Sequence, residues 1–367
     1  MSDSSIADGF AALLDAHSVG PGHRPDLPAL MRDAAEGGWY DVVGLGLSAD
    51  PDVDVEDALR ASEQLGRRLA PVSFVVAAGF VHPLLAALPP GRFTELVAQA
   101  EVVAVPTTRL EADDGGGAVF TQSGTVRSTG RPDGTVALHG SVDRLTDATA
   151  DLLLVTVDED TLAAVPADAP GVRLQTVSTV IEGFEVARAD LDGVVLTTER
   201  LRRPGAAEAL HRAGATWSLL LDAYAVGTAR EMVARSVEFV LARYQFGQAI
   251  GSFQAVQHLL ADMHISAETS SSMVLAAARS WISAPETALP EIVASRLHAG
   301  AAAVSACESA IQLHGGIGFT WELGLHRWYR AAQFARGYLS EEAGMRDFLA
   351  GCLDRPVGDR DVQGMVS

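Results

Sequence analysis

The chain contains no lysine: all 27 of its basic residues are arginine. That absence excludes a Schiff base to pyridoxal phosphate, a phosphate-loop lysine, and any lysine nucleophile or base. Cysteine is almost as scarce. Cys307 and Cys352 are the only two in 367 residues. They form no disulfide framework and no Cys-x-x-Cys pair, so a reducing, cytoplasmic setting is expected. No apolar run reaches the ~18 residues that a membrane-spanning helix needs. The first residues, MSDSSIADGF, show neither the basic segment nor the apolar stretch of a secretory signal. No membrane partner is expected. Positive charge is short too: 27 basic residues face 47 acidic ones, for a net charge of −20. Phosphate backbones require basic patches, so no nucleic-acid partner is expected. A few local arginines can still hold a small phosphorylated molecule. The ten histidines are scattered without His-Glu-x-x-His or comparable spacing, and no metal is expected. No glycine-rich turn joins a strand to a helix, which argues against a Rossmann dinucleotide site.

What is present is apolar and patterned. Hydrophobic residues make up 48% of the chain, enough for a sizeable core, and the length suits two or three lobes. Residues 1–98 read as helical, with apolar positions three and four apart in ALMRDAAEGGWYDVVGL and in DVEDALRASEQLGRRLAPVSFVVAAGF. Residues 99–203 change period. Six or seven short β-branched runs, split by turns such as Pro132-Asp133-Gly134, predict a small β-barrel or sandwich. Residues 204–367 return to helix. Helices are predicted from Thr216 to about Tyr244, over 253–282, over 287–314, and from near Gly324, an antiparallel four-helix bundle. The fold class is therefore α+β, with a helical lobe, a β lobe and a helical bundle in that order.

Two segments carry a family resemblance. ARYQFGQAIGSFQAVQHLLADM (242–263) and QLHGGIGFTWELGLHRWYRAA (312–332) resemble the two C-terminal signatures of the acyl-CoA dehydrogenases. EQLGRRLAP (63–71) and FEVARADLDGVVL (184–196) resemble its N-terminal helix and its exit from the β domain. The resemblance implies FAD as cofactor and an acyl-CoA thioester as substrate. It assigns Arg243, Gln245 and Phe246 to the pyrophosphate and adenine end of FAD, with Gln254 adding an amide. Gln312, Gly315 and Gly316 would approach the cofactor of a neighbouring subunit. A guanidinium suits a pyrophosphate because it donates to two oxygens at once. Taken alone, the residues allow a plainer reading. Arg243 can serve a helix end, Phe246 can be core, and Gly315 can be a helix cap. His314 and His326 read as structural.

The flavin end departs from the family pattern. GSVDRLTDA (140–148) keeps Thr146, whose hydroxyl the resemblance places near flavin N5, but has Arg144 where tryptophan is usual. VAVPTTRLEADDGGG stands where a Thr-Glu-Pro segment is expected. The base is missing as well. Removing an α-proton from a thioester needs a carboxylate in a dry pocket. The family supplies it either about 23 residues after the Gly-Gly pair or early in the long helix. Those positions are Leu339 and Trp217. Glu341 and Glu342 lie just beyond Leu339, where with Ser340 they also read as a helix start. Asp222 reads as structural.

The favoured reading is a subunit of a heteromeric acyl-CoA dehydrogenase, similar to those of actinobacterial steroid side-chain breakdown. It would pair with a second dehydrogenase subunit as a dimer of heterodimers, with an electron-transfer flavoprotein as acceptor. Two alternatives remain open: a self-sufficient homo-oligomeric flavoenzyme with a relocated base, and a non-catalytic binding or scaffold member of the fold.

Overall fold

The computed structural model describes residues 4–23, 25–43, 54–106, 108–112, 118–158, 161–181, 185–203, 205–337 and 342–354. Among the described residues seven helices come first: α1 (Ser4–Ala16), α2 (Leu27–Glu36), α3 (Trp39–Val43), α4 (Val55–Arg67), α5 (Val72–Val76), α6 (His82–Ala87) and α7 (Arg92–Ala98). A π-type turn, Ala77–Val81, joins α5 to α6. Local chemistry sets some of these starts. Asp26 accepts the Ala29 backbone N–H at 3.2 Å and caps α2.

Ten strands follow among the described residues: β1 (Val103–Ala104), β2 (Thr108–Ala112), β3 (Ala118–Gln122), β4 (Gly124–Gly130), β5 (Val136–Leu145), β6 (Leu152–Val157), β7 (Thr161–Pro166), β8 (Val172–Ser178), β9 (Glu185–Leu196) and β10 (Leu201–Arg202). Sequence patterning yields only six or seven of these. β4 is missed because it is polar with one buried residue, Val126. β7, TLAAVP, is missed because alanine carries little strand signal. Hydrogen bonding gives two four-stranded sheets, β1-β6-β7-β10 and β4-β5-β9-β8, with β2-β3 as a separate hairpin. Both sheets feed one core around Leu138, Val142, Leu145, Leu153 and Val155. Among the described residues they form a two-sheet packing rather than one closed ring.

The chain ends in helices α8 (Ala206–Ala242), α9 (Gln254–Ser283), α10 (Leu289–His314), α11 (Leu325–Gly337) and α12 (Glu342–Asp354). A tight hairpin, β11 (Tyr244–Gln245) and β12 (Gln248–Ala249), links α8 to α9. α8 begins ten residues before the expected Thr216, at a left-handed Gly205. α12 is a fifth helix beyond the predicted four. From Ala213 to Ala229 α8 is buried on every side, as the central helix of the molecule. It crosses α4 with backbones nearly touching. A Cβ on Gly66 would lie 1.8 Å from the Tyr224 carbonyl oxygen, and one on Gly227 would lie 1.9 Å from that of Glu63. Only glycine fits at either position.

Candidate functional site

The three lobes meet around a cleft of about 780 Å³, a size that suits a small-molecule ligand. The helical lobe contributes the Gly20–His23 turn and Leu69–Ser73. The β lobe contributes Asp147, Thr149, Ser178, Thr179 and Ile181. The bundle contributes Tyr224 from α8, and Arg327, Arg330, Ala331 and Phe334 from α11. The α11 residues lie at i, i+3, i+4 and i+7, so one helix face looks into the cleft. Asp147 is the one carboxylate in this lining among the described residues, and it is already well bound. Ser73 Oγ donates to its Oδ2, while Thr149 donates both its backbone N–H and its hydroxyl to Oδ1 at 2.7 Å. Burial pushes the Tyr224 hydroxyl well above its ordinary range, so it stays neutral and able to donate.

Thr146 does not line this cleft. It is fully buried, and its Oγ1 accepts the Val105 N–H at 3.0 Å. A bulge explains the placement. The register of β5 against β9 shifts between Val142 and Leu145, and Arg144 adopts φ +54° there. The bulge turns Arg144 out to solvent and carries Leu145 and Thr146 inward in succession.

The other seven predicted cofactor residues gather elsewhere, on exposed surface around the C-terminal ends of α8 and α10. Phe239 and His314 stack at 4.2 Å and join those two ends. Arg243 caps α8, and Gln245 begins the hairpin turn; both are exposed. Phe246 sits at the turn with φ +53° and is 93% exposed, its ring meeting Phe253 edge-on at 6.3 Å. Gln254 opens α9, exposed to solvent. Gln312, Gly315 and Gly316 close α10, also exposed, and nothing stands within 4 Å of where a Cβ on either glycine would be. His314 is buried against Phe239, with Nδ1 2.7 Å from the Ala310 carbonyl oxygen. His326 meets the Trp321 ring at 4.2 Å. Both are packed as structural residues.

Among the described residues, the expected base positions place no carboxylate in the cleft lining. Trp217 is wholly buried in α8 and packs edge-on against Phe80 at 5.3 Å. Leu339, Ser340 and Glu341 lie outside the described residues. Glu342 pairs with Arg336 and with Arg346 at 2.7 Å. The two arginines hold its carboxyl below the usual range, so it is committed to ion pairs and poorly suited to take a proton. Asp222 is fully buried, paired with Arg296 at 2.8 Å and Ser295 at 2.8 Å, as a structural residue would be.

Sequence reading missed the cleft residues Ser73, Asp147, Tyr224, Arg327 and Arg330. The α11 face was legible from its spacing. Asp147 stands next to Thr146 but attracts attention only once the bulge is seen.

Residues 219–350 match the family model described as acyl-CoA dehydrogenase, C-terminal domain. The C-terminal region of the chain thus matches the acyl-CoA dehydrogenases. It is 38% identical over 119 residues to acyl-CoA dehydrogenase IpdE2 of Mycobacterium tuberculosis, covering 32% of this chain and 35% of that one. It is 40% identical over 116 residues to the probable acyl-CoA dehydrogenase YngJ of Bacillus subtilis, covering 31% and 30%. The match thus spans about a third of the length of these curated relatives. The fold likeness extends much further. An acyl-CoA dehydrogenase from Geobacillus kaustophilus superposes with a TM-score of 0.79 at 18% identity, over 96% of this chain and 98% of that one. The ChsE4–ChsE5 complex of Mycobacterium tuberculosis gives 0.76 at 21% identity, over 96% and 98%. At such identities the likeness is one of fold. The chain thus shares the fold of these structures, with its central cleft and its predicted cofactor residues on different surfaces.

Proposed function

We propose that the chain is one subunit of an FAD-dependent acyl-CoA dehydrogenase, completing the FAD site of a partner chain that supplies the catalytic carboxylate. The separation of the cofactor residues from the cleft carries this reading. Arg243, Gln245, Phe246, Gln254, Gln312, Gly315 and Gly316 are exposed at one end of the bundle, and none of them lines the central cleft. A second chain laid against that end would enclose them.

The residues at that end fit the outer half of FAD. The Arg243 guanidinium would bind pyrophosphate oxygens, the three glutamine amides would hydrogen-bond to polar edges, and the Phe246 ring would pack on the adenine. The glycines leave the approach open. The flavin half fits less well, since the Thr146 hydroxyl is buried and occupied. FAD, when bound, would accept the hydride leaving the substrate's β-carbon. The α-proton needs a base, and the positions for it in this chain hold Trp217 and Leu339. ChsE4–ChsE5, a complex of two differently named chains, is a precedent for the pairing proposed here. An electron-transfer flavoprotein would be the acceptor.

The test is expression of the chain alone and then together with its genomic neighbour, measuring flavin absorbance and subunit ratio. A colourless chain that becomes yellow with a partner, at a defined ratio, is expected. Arg243→Ala should then lower the flavin content of the complex. A yellow, active homo-oligomer of this chain alone would overturn the reading. In that event Asp147, the carboxylate in the cleft, becomes the candidate base, and Asp147→Asn should abolish turnover while leaving flavin bound.

A further inference from the structure

The cleft has an unusual charge for so acidic a protein. The chain carries −20 overall, yet its central cavity gathers two guanidinium groups from a single turn of α11. Arg327 and Arg330 both line it, three residues apart and so neighbours on one helix face. Each is held in place. The Arg330 guanidinium sits over the Trp321 ring, 5.2 Å from its centroid, and has no carboxylate partner among the described residues. Arg327 lies against the Gly20–His23 turn at Gly22, where φ is +81° and a Cβ would stand 2.7 Å from Nη1. The absent side chain makes room for the guanidinium. One turn further along the same face the wall becomes apolar, with Ala331 and Phe334. A cavity with an apolar wall leading to a fixed guanidinium suits a ligand with a methylene chain ending in an anion. The planar fork of arginine donates to both oxygens of a carboxylate.

We propose that Arg330, with Arg327 beside it, binds a free carboxylate on the acyl group, so that this site selects carboxyacyl thioesters over plain acyl thioesters. The proposal rests on the acyl-CoA reading above and narrows its substrate class.

The test uses the full chain with whatever subunit co-purifies. Glutaryl-CoA, pentanoyl-CoA and free CoA are titrated by calorimetry against the wild type, Arg330→Gln and Arg330→Lys. A hydrogen-bonded charge pair of this type corresponds to about ten- to a hundred-fold in affinity. The wild type should therefore bind glutaryl-CoA at least about tenfold more tightly than pentanoyl-CoA. Arg330→Gln should erase that preference without weakening pentanoyl-CoA. Arg330→Lys should keep part of it, and a thermal melt shows whether each variant is folded. Equal affinity for the two esters in the wild type overturns the proposal and leaves the acyl-CoA reading standing. Equal weakening of all three ligands by Arg330→Gln places the arginine on the CoA phosphates and also overturns it. Failure of every CoA species to bind defeats the acyl-CoA reading itself, and the proposal with it.

Discussion

Asp222 shows how one residue can look catalytic and be structural. It is a carboxylate in the long helix that could carry a base, just over one turn past Trp217. Yet it is sealed in the bundle core, bonded to Arg296 and Ser295, with both charged groups almost wholly buried. Removing one member of such a pair leaves the other charge stranded. Asp222→Ala should therefore cost about 3–5 kcal/mol of stability, measured by denaturant unfolding. The pH dependence gives a second handle. Burial raises the Asp222 carboxyl from 3.8 to about 6, opposed by Arg296 and then Ser295. Between those values the folded state keeps a proton that the unfolded chain has released. Its contribution is thus full below about pH 4 and declines as the pH rises through about 6. The stability margin of wild type over Asp222→Asn should shrink across that window. A margin flat with pH would show that Arg296 keeps the carboxylate ionised throughout.

Among the elements, the crossing of α4 and α8 fixes the geometry of the cleft, because Leu69–Ser73 follow α4 and Tyr224 lies on α8. Backbone contact at Gly66 and Gly227 sets the distance between them. Gly227→Ala would drive a methyl group into the Glu63 carbonyl, which cannot swing aside as a side chain could. The expected loss is about 3 kcal/mol, the upper end of ordinary overpacking, together with weaker ligand binding in the cleft. A melting curve and a titration on the same sample check both. This level of organisation was legible only in part. The helical periods of α4 and α8–α11 come from apolar faces three and four residues apart, and such faces are written in the sequence. The missed strands β4 and β7 have few β-branched residues facing the core. The bulge that buries Thr146 depends on pairing with β9, some forty residues away, which no local pattern encodes. The cofactor residues are assigned through the family resemblance of 242–263 and 312–332; the glycines and the turn by themselves signal only a helix cap and a tight connection. The cleft was not legible, because its lining is drawn from six separate segments.

For the molecule as a whole, the end of the bundle raises the question of what covers it. Leu241, Tyr244, Phe246, Ile317 and Phe319 are all more than two-fifths exposed, and an apolar grouping of that size on a free monomer invites association. Charge bears on the identity of the partner. Two copies of a chain carrying −20 repel each other, whereas a less acidic chain is repelled less and a basic one is attracted. Salt separates these cases, since screening relieves repulsion between like copies. Homo-association of the isolated chain should tighten as ionic strength rises, and assembly with an unlike, less acidic subunit should change little or weaken. Phe246→Asp isolates the apolar contribution. Phe246 makes little contact with its own chain, and aspartate tolerates the positive φ of this turn better than most residues. The substitution should therefore move the melting temperature hardly at all while shifting sedimentation toward the monomer and lowering flavin content in the complex. A lowered melting temperature with assembly intact would instead mean that the exposed ring serves its own chain, and the surface where a partner closes the cofactor site would have to be sought elsewhere.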